Sequence, residues 1–128
     1  MNTRPAQGIE GRVLRMSGNQ MPGLRSTHSA PEPVATTVWI FSGKIPGQDP
    51  YWPVSAAHHH PHWHASVVSD TCGRFLIGLP SGEYTVFAQY DASLYLNAFA
   101  GPRFYESVLV VEEQWTPVEL INTEEATF

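Results

Sequence analysis

The stretch Ser69–Gln89 constrains this chain most, because its turn formers and apolar residues alternate at the period of a β-strand. Asp70 to Gly73 can close a hairpin, with Gly73 in the left-handed conformation that a β-carbon penalises. Pro80-Ser81-Gly82 supplies a second reversal, proline fixing φ and glycine permitting φ > 0. Phe75, Ile77 and Leu79 alternate between the reversals, and Tyr84, Val86 and Ala88 alternate after them. This pattern predicts a small antiparallel β-domain.

The remaining chain agrees. Gly8–Met16 reads as a first strand, with Gly11 marking a bulge or a close backbone approach. Gly18–Val34 reads as a long loop. Thr36–Phe41 is apolar on both faces, the mark of a strand covered on both sides. Ser42–Pro53 is a second Gly/Pro loop. Trp63–Ser69 leads into the opening stretch, Leu94–Phe104 is irregular, and Tyr105–Glu112 and Pro117–Thr123 are the last strands. About seven strands with short late turns predict an all-β sandwich. Its 128 residues fit one domain, 8–128, behind a flexible tail, 1–7.

The net charge is −5, with two basic and nine acidic residues in the half from 51 onward. No basic stripe tracks a phosphate backbone, which excludes nucleic-acid binding. No apolar run of about 18 residues predicts a transmembrane helix. The single Cys72 precludes an internal disulfide. The opening residues Met1–Gln7 lack the apolar core of a signal peptide, so either the protein is cytosolic or its numbering starts after a removed signal.

Several motifs together resemble a family. Gly73-x-Phe75 followed by Leu79-Pro80-x-Gly82-x-Tyr84-x-Val86 resembles the signature of carboxypeptidase regulatory-like domains, which are transthyretin-like, seven-stranded Greek-key sandwiches. Gly11-x-Val13, Gly18-Asn19-Gln20-Met21-Pro22-Gly23, Tyr95-x-Asn97-x-Phe99-x-Gly101 and Ile121-Asn122 are similar to a subgroup of small bacterial proteins of unassigned function. That resemblance implies an extracytoplasmic (periplasmic or secreted) mature protein, with a signal peptide removed. It carries architecture and no mechanism. The histidine-rich segment between Pro46 and His64 departs from the subgroup's pattern, as does Cys72 in the turn.

Five of the six histidines lie in His58-His59-His60-Pro61-His62-Trp63-His64. On an extended strand the alternation of His62 and His64 points both rings to one face, and His60 could join them across Pro61. Zn²⁺, Cu²⁺ or Ni²⁺ suits such a set, with His58 or His59 as further ligands and Asp70 or Asp91 as the carboxylate. The alternative is a solvated loop whose imidazoles bind metal incidentally. Cys72 has only Arg74 nearby to activate it, and an extended strand puts His64 about 20 Å away. Glu112-Glu113 and Glu124-Glu125 point to opposite faces, which disfavours an acid/base pair. No Gly-x-Ser-x-Gly elbow or phosphate-binding glycine loop is present. Hydrolases of the transthyretin-like fold carry a C-terminal Tyr-Arg-Gly-Ser, where this chain reads Glu-Glu-Ala-Thr-Phe. The fold's iron dioxygenases need two tyrosines and two histidines that no motif here supplies.

Trp39, Phe41, Phe75, Tyr84 and Phe87 are expected in the core. Tyr51, Trp52, Trp63, Tyr95, Phe99, Phe104 and Tyr105 lie in or near loops. They either cover the ends of the sandwich or form a platform for carbohydrate or peptide. Exposed edge strands add self-assembly or a cell-surface partner as a further expectation. The leading expectation is a non-enzymatic binding or assembly module, the second a copper- or zinc-binding protein, and the third an enzyme on the same fold.

Overall fold

A computed structural model describes residues 6–16 and 31–123. The Gly18–Gly23 motif, His28, the Glu124-Glu125 pair and most of the expected tail lie outside them.

Among the described residues twelve strands and one helical turn follow in order. They are β1 (Gly8–Arg15), β2 (Glu32–Pro33), β3 (Thr37–Ser42), β4 (Tyr51–Pro53), α1 (Val54–Ala57), β5 (Trp63–Val68) and β6 (Arg74–Gly78). Then come β7 (Gly82–Tyr90), β8 (Ser93–Tyr95), β9 (Phe99–Ala100), β10 (Phe104–Tyr105), β11 (Val108–Val110) and β12 (Trp115–Asn122). The count exceeds the seven or so expected because the two expected loops and the irregular stretch around Leu94–Phe104 contribute two- or three-residue strands too short to show a period.

One sheet runs β12-β1-β2, with β6 also paired to β1; the larger runs β4-β8-β7-β3-β5, with β11 also paired to β7. β9 and β10 form a separate ribbon. All pairs are antiparallel except β1 with β12, which align in parallel from Gly8↔Trp115 to Arg15↔Asn122. The all-antiparallel expectation is corrected at that pair. Parallel pairing needs a long connection, and nearly the whole chain intervenes.

The opening stretch is also corrected. Its turns form as expected: Gly73 has φ 77°, and Gly73 N–H donates to the Asp70 carbonyl at 2.8 Å. The strands they join do not pair, because β5 pairs β3, β6 pairs β1 and β7 pairs β3. Both reversals are therefore corners that carry the chain from one sheet to the other. Local turn chemistry sets the reversal, and burial of Phe75 and Leu79 between the sheets decides the partner.

The two sheets sandwich a core of Ile9, Val13, Val38, Ile40, Phe75, Leu79, Tyr84, Val86, Ala88, Val110 and Leu120. Gly11 makes a close approach there: a β-carbon would lie 2.3 Å from the Val118 carbonyl and 2.6 Å from the Phe75 ring. A second cluster covers the outer face of the larger sheet and contains Trp39, Phe41, Ile45, Ala57, Phe87, Leu94 and Tyr105. The two-faced apolarity of β3 follows directly, Val38 and Ile40 facing the first cluster, Trp39 and Phe41 the second.

Candidate functional site

The histidine segment leaves the outer layer at α1. Pro53 has extended φ/ψ and Val54 opens the turn, its N–H bonded to the Ala92 carbonyl at 2.8 Å. Ala57 is fully buried in the second cluster and plugs this turn onto the sheet. The chain then unwinds through turn bonds, His58 N–H to Val54 (2.8 Å), His60 N–H to Ala57 (3.0 Å) and Trp63 N–H to His60 (3.1 Å). The Ser42 N–H donates to the His62 carbonyl at 2.8 Å and starts the pairing of β5 with β3.

Ring positions follow from that path. His60 turns inward, edge-on to Phe41 at 5.9 Å and to Trp52 at 5.5 Å, and meets His62 at 5.2 Å. His58 contacts His59 at 5.0 Å and Trp63 at 5.3 Å. Trp63 stacks on Trp39 at 4.8 Å. His64 sits against Tyr84 at 5.6 Å.

A β-bulge separates His64 from its neighbours. Ile40 pairs with Ala65 but Phe41 pairs with Trp63, which leaves His64 as the extra residue. The strand thus begins at Trp63 rather than His62 and breaks the alternation on which a His62–His64 pair depends. Trp63 takes the outer face and caps Trp39.

His60 Nδ1 accepts a hydrogen bond from the His62 backbone N–H at 3.0 Å. That bond occupies the Nδ1 lone pair, so the neutral ring carries its proton on Nε2. Neither nitrogen then offers a free lone pair to a cation while the turn persists. Burial and, second, the nearby His62 charge hold the His60 imidazole below its usual range. Among the described residues no group of three or more His, Cys, Asp or Glu side chains could hold a metal ion. His58, His59, His60 and His62 thus lie along one ridge of ring contacts with one another and with Phe41, Trp52 and Trp63, His64 stands apart against Tyr84, and His60 acts as a turn lock.

Cys72 is exposed. Its N–H and that of Arg74 both donate to Asp70 Oδ1 at 2.9 Å. Asp70 is thereby an Asx-turn residue at the corner.

The loop aromatics divide. Trp52 and Phe99 pack on the second cluster, which contains Tyr105, and Tyr95 is buried. Tyr105 donates its hydroxyl to the Asp49 carbonyl. Burial, helped by the Asp49 charge, pushes its pKa up to about 12. Only Tyr51, Trp63 and Phe104 keep just over a third of their surface exposed. Most of the supposed platform is therefore the outer core layer.

Pairing creates one feature that spacing does not show. The outer face of the smaller sheet holds a concavity of about 660 Å³ whose lining includes Glu10, Arg12, Arg74, Leu76, Pro117 and Glu119. Those residues meet only through β1–β6 and the parallel β1–β12 pairing. No known protein family, curated protein or solved structure matches this chain.

Proposed function

We propose that the protein is a non-enzymatic extracytoplasmic module on a transthyretin-like, Greek-key sandwich, and that it works by assembly through strand pairing. The family and location are supported by the resemblance of the Leu79–Val86 and Tyr95–Gly101 motifs to carboxypeptidase regulatory-like proteins. The assembly reading is carried by the edge of the larger sheet.

β5 ends that sheet with nothing paired on its far side among the described residues. The bulge at His64 leaves Ala65–Val68 as the regular part of the β5 edge. Sheet edges invite addition of another strand, and proteins blunt them with charge, proline, brevity or a bulge. The other terminal strands do this: β12 carries Pro117 and Glu119, β4 is three residues ending in Pro53, β2 is two residues including Pro33, and β6 carries Arg74. β11 is three residues long and runs into Glu112-Glu113. β5 alone is six residues long with no proline, lysine, arginine, aspartate or glutamate. Val68 is 67% exposed at its end. In a two-fold antiparallel pair residue i meets residue j and j meets i, so only residues at the dyad face their own copies; like charges there repel, and an uncharged strand is self-compatible.

Light scattering after size exclusion tests this across a concentration series. Wild type should form a concentration-dependent dimer. Ser66→Lys places two lysines near the dyad and should give monomer with an unchanged melting curve. A wild type that stays monomeric throughout, or a Ser66→Lys dimer of equal strength, overturns the proposal.

A further inference from the structure

We propose that the concavity on the smaller sheet binds a short zwitterionic peptide of about two residues with apolar side chains. This goes beyond assembly and involves the other sheet.

The argument starts from two rows of side chains. Register puts Arg74, Arg12 and Glu119 side by side across β6, β1 and β12, and Leu76, Glu10 and Pro117 in the adjacent row. Like charges directly opposite on a sheet repel, so the Arg74–Arg12 pair costs stability unless an anion lies between them. Glu119 reaches Arg12 at 3.3 Å. Among the described residues Arg74 has no ion pair, and neither does Glu10. Asp70 at the rim spends Oδ1 on two backbone N–H groups.

Among the described residues the concavity therefore presents one unpaired cation and one unpaired anion, flanked by Pro117 and by a Leu76 that is 57% exposed. Diagonal cross-strand neighbours such as Arg74 and Glu10 stand about 7–8 Å apart at the backbone. Two extended residues span about 7 Å, which matches that spacing. A carboxylate end meets Arg74 with Arg12 beside it, an ammonium end meets Glu10, and apolar side chains cover Leu76 and Pro117. The lining residues Glu10, Arg12, Asp70, Arg74 and Glu119 sum to one negative charge, which disfavours a dianion such as phosphate.

Amide chemical-shift titration of the folded chain tests this with Leu-Leu, N-acetyl-Leu-Leu and Leu-Leu amide. Leu-Leu should give saturable shifts at Gly11, Arg74 and Leu76, and blocking either terminus should weaken binding about fivefold, the upper worth of an exposed ion pair. Arg74→Gln should erase the difference between Leu-Leu and its amide. Glu10→Gln should erase the difference between Leu-Leu and its N-acetyl form. Both positions are exposed, so melting curves should match wild type. Absence of saturable shifts at millimolar peptide, equal binding of all three peptides, or variants that bind them as wild type does overturns the proposal.

Discussion

Removing Phe87 should show whether the outer layer is a true second core. Phe87 is fully buried, and its ring lies 5.4 Å from Phe41, 5.5 Å from Trp52 and 4.8 Å from Tyr105. Phe→Ala in a packed core costs about 3–5 kcal/mol, and each aromatic pair adds about 0.5–1.5 kcal/mol beyond buried area. With three ring partners, Phe87→Ala belongs near about 4 kcal/mol, a large share of the roughly 5–15 kcal/mol that holds a domain together. An unfolding entropy of about 2.1 cal/mol/K per residue over 128 residues turns that loss into a melting shift of roughly 15 °C. Urea unfolding should show a lower midpoint with the same slope, because the variant still unfolds as one unit. Val111→Ala, at a 47% exposed position, should stay within about 0.5 kcal/mol of wild type. A Phe87→Ala loss below about 1 kcal/mol would refute the reading of the outer layer as packed core.

Two other substitutions probe the corner and the turn lock. Gly73→Ala puts a β-carbon 2.5 Å from the Val13 carbonyl at φ 77°, so it should destabilise by at least about 1–2 kcal/mol in urea melts; a neutral outcome would contradict the corner's geometry. His60→Asn keeps an acceptor for the His62 N–H but cannot titrate. Because the folded His60 pKa lies below its ordinary value, the unfolded chain binds more protons in that window, and the stability is present above about pH 6.5 and lost as pH falls. His60→Asn should therefore lose less stability than wild type between neutral and mildly acidic pH; an identical pH profile would show that His60 contributes none of it.

Residue spacing reveals what is local and hides what is chosen by tertiary contact. The two-faced burial of β3 is readable because Val38, Trp39, Ile40 and Phe41 leave no polar face to expose. Asp70, Gly73 and Pro80 announce reversals, since their turn chemistry lies within a few residues. That these reversals are corners between sheets is not readable, because strands on either side of a turn can pair with each other or with distant strands. The parallel partner of β1 lies more than a hundred residues away, so neither the pair nor the concavity lined by Arg12, Arg74 and Glu119 leaves a short-range trace. The bulge at His64 is hidden for a related reason. It follows from Trp63 reaching Trp39, a contact that outweighs regular alternation.

That bulge also bears on how strongly β5 can assemble. Bulges twist a strand locally and spoil regular pairing, so the usable edge shortens to Ala65–Val68, about 13 Å of backbone at 3.3 Å per residue. So short a ladder falls far below the roughly 800 Å² per partner of a standard stable interface. In the proposed assembly, backbone pairing alone would therefore give weak, reversible association rather than runaway aggregation. Extra area can come from the ridge beside it, where Trp63 is 37% exposed and flanked by His58. In the proposed assembly the histidine run would act through its backbone path. Its turn, locked by His60, fixes where β5 begins, and the bulge that follows limits how much of the edge is open.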